Sequence, residues 1–500
     1  MYLNNHTYYS LRYGTFNEQD LIELALENNV KTIVLTDINN TSACLNFMRL
    51  CVQHQLHGVL GIDFRNKHQQ EYVGIAKNNE GFQELNTFLS YHLENKIPFP
   101  AQAPAFQNAY IIYPFKKVVE LEKVRFRESE FIGTSMATLR KLPFTSYVKM
   151  LDKMVVLQTV TFRSKKDYNA HRLLRCIDLN ILLSQLPVSQ QGNAEDQMIP
   201  VSDLKKAFEE YTIILKNTIQ LLEQCYINFN FENAQLNANQ QIYKHSEEDD
   251  YLKLRKLAYD GIKNRYGDKK DKTVVIERIE KEIGIVLKKG FVTYFLINWR
   301  ICEYARSKKY FYVGRGSGAN SILAYLLQIT EVDPIELDLY FERFINDYRT
   351  SPPDFDIDFS WDDREDITRF IFEEFNNVAL LATYNTFQYR AVVRELGKVF
   401  GLPKTDIDML TTGHFQLGQL DQMHQLVLKY SHLIKGMPNY ISIHAGGILI
   451  TEKPIHYYSA TSLPPKGYRT VQFDMHIAED AGIHKFDIKV AAIEKAIQAK

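Results

Sequence analysis

Cysteine is scarce in this chain. The five residues (Cys44, Cys51, Cys176, Cys225, Cys302) are odd in number and show no Cys-x-x-Cys spacing, which excludes a disulfide framework and a zinc ribbon and fits a reducing compartment. No apolar run reaches the roughly 18 residues that a bilayer span needs. The opening Met1-Tyr-Leu-Asn-Asn-His6 has neither the basic nor the apolar region of a secretory signal. A soluble, cytoplasmic protein without membrane contact is therefore expected. Charge of one sign is also missing: 59 Lys plus Arg against 60 Asp plus Glu leave a net charge of -1, which is silent about polyanionic partners because only local distribution decides that. There is no internal repeat and no heptad pattern. What is present, 45% apolar residues over a length of 500, suffices for ordinary cores in about two to four domains.

The first 180 residues alternate short β-rich runs with helical patterns. Asn17 is a plausible N-cap with Asp20 three residues on, followed by an apolar stripe of Leu21, Ile22, Leu24, Ala25 and Leu26. Strands are expected at 32–36, 58–62, 72–76, 110–113 and 155–159, with helices at 17–30, 41–54, 80–92 and 203–224. That alternation predicts a parallel α/β domain, open or closed into a barrel. The polar stretch 233–250 reads as a linker and domain boundary. Eight of the twenty residues from Lys253 to Lys272 are Lys or Arg, a solvated helix face or a nucleic-acid contact.

The most informative segment is Ser351-Pro-Pro-Asp-Phe-Asp-Ile-Asp-Phe359. On a strand, Asp354, Asp356 and Asp358 share one face, and Phe355, Ile357 and Phe359 the other. Next-but-one side chains are about 6.5–7 Å apart, so the carboxylates repel and call for a cation above them. Mg²⁺ or Mn²⁺ suits an all-oxygen site, and a metal pair serves in-line phosphoryl displacement. The plain alternative is a solvent-facing acidic strand. A third carboxylate must come from elsewhere, and Asp487 is the candidate, with Lys485 on the same strand face and Phe486 on the other.

Val313-Gly-Arg-Gly-Ser-Gly-Ala-Asn-Ser321 follows a β-like run and precedes a helical one. A glycine-rich turn opening a helix offers backbone N–H groups and the positive dipole end to phosphate, with Arg315 and Ser317 as further donors. It lacks the full GxGxxG and GxxxxGK[ST] patterns. Such a turn is as often purely structural.

Taken in order, Gly314–Tyr325, Ile329–Pro334, Tyr340–Asn346, Pro353–Phe359, Ile443-His-Ala-Gly-Gly447, Gln472-Phe-Asp-Met475 and Lys485-Phe-Asp487 resemble the palm of the bacterial replicative DNA polymerase III alpha subunits, the C-family polymerases. The resemblance implies an α/β multidomain chain: a PHP-type distorted β/α barrel (1–232), a polymerase-beta-like nucleotidyltransferase palm of mixed sheet and helices (233–375 and 441–500) and an inserted helical thumb (376–440). It implies Asp356, Asp358 and Asp487 as catalytic ligands of two Mg²⁺, for which Mn²⁺ can substitute, with Asp354 the less favoured ligand. Arg315, Gly316, Ser317 and Lys485 would bind the incoming dNTP. Arg390, Arg394 and Lys398 recur every four residues on one helical face, a rail for primer-template DNA or a plain charged surface with Glu395 as local partner. Implied partners are DNA, dNTP, and a sliding clamp and other replisome subunits reached through regions missing here.

The first domain resembles the PHP domain with its ligands depleted. The HxH position reads Asn4-Asn5-His6, the Asp-His pair reads Asp37-Ile38, Asp63 and Glu71 stand for the next ligands, and Thr159 and Thr161 replace the late Asp-x-His. Ile and Thr cannot replace imidazole, so no PHP metal cluster and no proofreading nuclease is expected; His6 becomes a hydrogen-bonded structural residue and the domain a scaffold. Family members continue into fingers, and the residues after Asp487 depart from the family's usual sequence, so weak or absent polymerisation is expected of this chain alone. A non-catalytic remnant that binds DNA or a partner subunit is the alternative; a stand-alone PHP phosphoesterase is opposed by the missing histidines.

Overall fold

A computed structural model of the chain describes residues 1–120, 126–231, 238–267, 272–343, 354–416, 418 and 420–490. Parts of the expected linker (233–237) and basic run (268–271), the motif residues 344–346 and 351–353, and the terminal segment 491–500 lie outside the described residues.

The N-terminal region is built on β1 (Asn4–Asn5), β2 (Thr32–Leu35), β3 (His57–Asn66), β4 (Gln69–Ala76), β5 (Ala109–Pro114), β6 (Glu130–Thr134), β7 (Met154–Val156) and β8 (Thr159–Val160). β2 to β7 form one sheet in sequence order, and β1 pairs in parallel with β8. The Thr36 N–H donates to the Asn5 carbonyl at 3.0 Å. β1 therefore lies beside the end of β2, and the strands curl around toward β7 and β8.

Two expectations change here. The sheet is mixed rather than parallel, because β3 and β4 form an antiparallel hairpin and β4 pairs antiparallel with β5; the hairpin turn carries Lys67 at φ 58° without the glycine or asparagine that would announce it. The expected strand 155–159 is interrupted at Leu157 and Gln158, where the chain leaves one sheet for the other. The expected helix 203–224 is likewise broken into Val201–Ala207 and Thr212–Glu223 around buried Phe208. The helix at Glu18–Glu27 begins as expected, with reciprocal capping between Asn17 and Asp20.

The second sheet holds seven strands: β9 (Tyr312–Arg315), β10 (Asp356–Phe359), β11 (Val378–Thr386), β12 (Pro438–Ile450), β13 (Thr461–Ser462), β14 (Thr470–Asp474) and β15 (Lys485–Val490), in the order β13-β14-β11-β12-β15-β10-β9. One face packs through Ile357, Phe359, Leu380, Ile448, Phe486 and Ile488 against helices 247–266, 272–288, 292–307 and 361–374. On the other face Ala379, Leu381, Leu449, Val471 and Phe473 join the N-terminal core. Gln472 links the two regions: its Oε1 accepts from the Thr41 N–H (2.8 Å) and hydroxyl (3.1 Å), and its amide donates to the Asn39 carbonyl (3.2 Å). The strands β9, β10 and β15 extend beyond this seam, so their polar face is left for chemistry.

Between β11 and β12 the helices Tyr389–Phe400, Lys404–Thr412 and Gln422–Ile434 share a core with Leu173, Leu174 and Ile177 of the helix Lys165–Leu179. The acidic end of the expected linker, Glu247 to Asp250, is the first turn of the helix Glu247–Tyr266, capped by Ser246. No helix among the described residues is long and apolar enough to cross a membrane, and all five cysteines are buried free thiols.

Candidate active site

Alternation along β10 places Ile357 and Phe359 in the core and turns Asp356 and Asp358 to the opposite face. Asp354 precedes the strand and is largely exposed. Parallel pairing with β15 makes Asp487 the register partner of Asp356, and Lys489 that of Asp358. Antiparallel pairing with β9 sets Arg315 opposite Asp356. The three aspartates separated by up to 131 positions in the chain thus converge on adjacent strands, which lie about 4.8 Å apart.

The cations over these carboxylates belong to the chain. Arg315 donates through Nε to Asp358 Oδ2 at 2.6 Å and through NH1 to Asp356 Oδ2 at 2.7 Å. Lys489 Nζ lies 2.7 Å from Asp356 Oδ1 and 3.8 Å from Asp487 Oδ2. Lys485 Nζ donates to Asp487 Oδ2 at 2.7 Å and lies 3.8 Å from Asp354. The hydrogen bond to Asp358 raises the Arg315 pKa; burial would lower that of Lys485, but its bond to Asp487 and that charge raise it. Three side-chain cations, Arg315, Lys485 and Lys489, thus balance Asp356, Asp358 and Asp487, with the exposed Asp354 a fourth carboxylate at the edge of the group. Among the described residues, no three His, Cys, Asp or Glu side chains are gathered in metal-ligand geometry.

The donor set still suits a hard divalent ion, being all carboxylate oxygen on one sheet face. Asp487 Oδ1 is buried without a hydrogen-bond partner, an acceptor left open beside Asp356. Asp356, Asp358 and Asp487 are the residues that would hold such an ion.

The glycine-rich turn differs from its expected form. Gly316 adopts φ 90°, a left-handed value that favours glycine, and Ser317–Asn320 make a 3-10 turn before the short helix Ile322–Leu326. The N-terminal N–H groups of that helix are already bonded to a protein anion: Glu282, fully buried, accepts from Ile322 N (3.2 Å), Leu323 N (3.4 Å) and Ser321 Oγ (2.7 Å), and pairs with Arg278 at 2.7 Å. The expectation that this helix end offers its dipole to phosphate is therefore corrected, since a carboxylate fills it. Arg315 and Ser317 are likewise engaged, Arg315 on the aspartates and the Ser317 hydroxyl accepting from the Asp354 N–H at 3.3 Å. Gly318 packs against the Phe355 ring, with an added Cβ falling 2.0 Å from Cδ1 and 2.1 Å from Cε1. Gly318→Ala should cost about 1–3 kcal/mol in urea unfolding by displacing Phe355; an unchanged midpoint would refute the packing role.

Three residues of this site escaped the sequence reading. Glu282 interrupts the apolar stripe Val275, Ile279, Ile283 and Val286, a signal that was readable. Lys489 sits two residues beyond Asp487, and only strand register reveals its reach to Asp356. His444, in the Ile443–Gly447 motif, is held neutral by burial, its Nδ1 accepting from the N–H groups of Gly446 (3.2 Å) and Gly447 (2.8 Å). Arg390, Arg394 and Lys398 fall on the helix Tyr389–Phe400, all exposed, with Lys398 paired to Glu395 at 2.8 Å.

In the N-terminal region the surviving ligand candidates are bonded within the protein. His6 is fully buried between Asp63 Oδ2 and Thr161 Oγ1, 2.9 Å from each. Burial lowers its pKa, so a neutral ring donates from Nε2 to Asp63 and accepts from Thr161. Arg65 forks onto Asp63 Oδ2 at 3.0 and 2.7 Å. Asp37 accepts from the Thr7 N–H and from the hydroxyls of Thr7 and Ser10, and Glu71 pairs with Lys117 at 2.5 Å.

A model of the bacterial DNA polymerase III alpha NTPase domain matches residues 252–489, and one of the PHP domain matches residues 3–130. The error-prone DNA polymerase of Symbiobacterium thermophilum is 25% identical over 571 aligned residues, covering 100% of this chain and 52% of that protein. The DNA polymerase III alpha subunits of Halalkalibacterium halodurans and Bacillus subtilis are 25% and 26% identical, each covering 97% of this chain and 48% of the relative. The chain spans about half the length of these relatives. The chain thus carries a PHP domain followed by a bacterial DNA polymerase III alpha NTPase domain, and over nearly its whole length it is similar to DNA polymerase III alpha subunits.

Proposed function

We propose that this chain is the core portion of a DNA-directed DNA polymerase alpha subunit, joining a dNTP to a primer 3′-hydroxyl in chromosomal replication. The observation that supports it most is the register pairing of Asp356 with Asp487, with Asp358 on the same face. In this reading the seven-stranded sheet is the palm, the three helices between β11 and β12 are the thumb, and the curled N-terminal region is a scaffold without a metal cluster. Two Mg²⁺ ions on the aspartates would supply Lewis-acid activation of the 3′-hydroxyl and neutralise charge developing on the phosphate. The chain's own residues orient the reactants. Lys485, mostly buried beside Asp487, and Arg315 at the Gly316–Ser317 turn meet the triphosphate once they release their carboxylates. DNA would follow Arg390, Arg394 and Lys398, and clamp and replisome partners would bind the portion of the relatives that this chain does not span. Cytoplasmic residence accords with that role.

A second reading, a remnant that retains the fold and binds DNA without turnover, draws on the side-chain cations that neutralise the aspartates. Equilibrium binding of a deoxynucleoside triphosphate separates the two. Polymerase chemistry predicts Mg²⁺-dependent binding that disappears in Asp356→Asn/Asp358→Asn and weakens in Lys485→Ala; equal, metal-independent binding in all forms would favour the remnant. On DNA, Arg390→Ala/Arg394→Ala should weaken binding uniformly across sequences and reduce the slope of log affinity against log salt by about 2. Fluorescence anisotropy at several salt concentrations checks this, and an unaltered slope would leave the helix an ordinary charged surface.

A further inference from the structure

Lys489 has no part in the expected site, yet its ammonium group is 2.7 Å from Asp356 Oδ1 and 3.8 Å from Asp487 Oδ2. These are the two carboxylates that strand register makes neighbours. Its stem is seated rather than free: it crosses Gly446 so closely that an added Cβ there would fall 2.9 Å from Lys489 Cγ. Only a third of the side chain is exposed. Asp356 consequently has both oxygens bonded to the chain's own cations, Oδ1 to Lys489 and Oδ2 to Arg315. Arg315 is half-exposed at the edge of a turn, whereas Lys489 rises from within β15 between the two aspartates.

We propose that Lys489 is a tethered cation that competes with divalent metal for Asp356, setting how tightly this site takes an ion. The inference rests on the metal-site reading above. A positive charge fixed on a ligand oxygen opposes the ion twice, by occupying a lone pair and by repelling a second cation through a medium of low effective dielectric. Without the lysine the trio carries one more uncompensated negative charge, and the site becomes a stronger and hungrier acceptor. The arrangement would make the chain bind metal weakly at rest and more tightly whenever an incoming triphosphate draws the ammonium away from Asp356.

Isothermal titration of MnCl₂ into the 500-residue chain tests the proposal on four proteins: the native sequence, Lys489→Met, Asp356→Asn/Asp358→Asn, and Lys489→Met/Asp356→Asn. The expected result is Mn²⁺ affinity at least about tenfold higher in Lys489→Met, with the gain cancelled when Asp356→Asn is added. Unchanged affinity in Lys489→Met, with native binding still abolished in Asp356→Asn/Asp358→Asn, would overturn the role of Lys489 and leave the metal site standing. A gain that survives Asp356→Asn would also overturn it, because the ion would then bind elsewhere. Absence of Mn²⁺ binding in every form would overturn both readings. The native chain gives a measurement independent of any variant's folding: acetylation of Lys489 by N-hydroxysuccinimidyl acetate, read by peptide mass spectrometry, should rise several-fold when Mn²⁺ saturates the site. An unchanged rate at saturation would contradict displacement of the lysine.

Discussion

Asp63→Ala is expected to destabilise the chain by about 4–5 kcal/mol, the upper part of the range for breaking a buried ion pair. The carboxylate it removes is fully buried and is the shared acceptor of Arg65, His6 and Gln70. Arg65 has only 8% of its side chain exposed, so the guanidinium left behind has little access to water. Burial alone would raise the Asp63 pKa, but Arg65 and His6 outweigh it and hold the carboxyl at about 2 against an ordinary 3.8. The folded state therefore binds this proton less readily than the unfolded chain. The stabilisation is complete above the ordinary value and is lost as pH falls through that window toward about 2. Acid unfolding of the native chain minus that of Asp63→Asn should show this slope between those two values. Parallel acid limbs, or a cost for Asp63→Ala below about 1 kcal/mol, would mean that Arg65 finds another partner. The result bears on the proposed scaffold role, in which Arg65 is the fixed positive charge beside Asp63.

Glu282→Ala should cost about 3 kcal/mol, the lower end of the same range because Arg278 keeps a fifth of its side chain in solvent. The variant leaves the Ser321 hydroxyl and the Ile322 and Leu323 N–H groups without their acceptor. Burial raises the Glu282 pKa, against Arg278, Ser321 and the helix N–H groups, which lower it. Its linkage runs opposite to that of Asp63: the stability it contributes is fully present below the ordinary glutamate value and declines as pH rises through its elevated folded value. Replacing both partners, as in Glu282→Leu/Arg278→Met, should recover most of the loss, since an apolar pair leaves no uncompensated charge. Urea unfolding decides between these outcomes. A double variant as unstable as Glu282→Ala would show that anchoring the helix N-terminus, rather than pairing Arg278, is the main contribution.

Much of the site was legible because strand alternation is a strict rule. Phe355, Ile357 and Phe359 could only be core if Asp356 and Asp358 faced away from it, and the same argument placed Lys485 and Asp487 together on one side of Phe486. The helix Tyr389–Phe400 was equally plain: its basic residues recur every four positions, and Val392, Val393 and Leu396 are buried beneath them. Neither period carries information about which strands become neighbours. The contacts of Lys489 and Arg315 with Asp356 depend on register across three strands distant in sequence, so they emerged only from the folded sheet. The hairpin of β3 and β4 was missed because its turn residues, Lys67 and His68, lack turn chemistry, and Lys67 nonetheless adopts a left-handed conformation.

Other signals were present and misread. Ser246 followed by Asp249 is a helix start of the Ser-x-x-Asp kind, and four acidic residues after Ser246 complement the dipole of that first turn. Polarity had made the segment look like a linker. The glycine-rich turn illustrates a different limit. Gly316 and Gly318 are required by backbone geometry and by Phe355, which accounts for them without any ligand. The helix they introduce already holds an anion of the protein, Glu282, whose place in an apolar stripe of another helix was the one clue. What the turn retains for function is position: it sets Arg315 at the end of β9, directly opposite Asp356.

In the proposed polymerase reading, Asp356, Asp358 and Asp487 hold divalent ions in common. Anomalous diffraction at the manganese edge, from crystals of the chain equilibrated with MnCl₂, tests it most directly. A peak in contact with both Asp356 and Asp487, with Lys489 moved off Asp356, is the expected result. Manganese bound only elsewhere, while Lys489 and Arg315 still cover both oxygens of Asp356 at saturation, would contradict it.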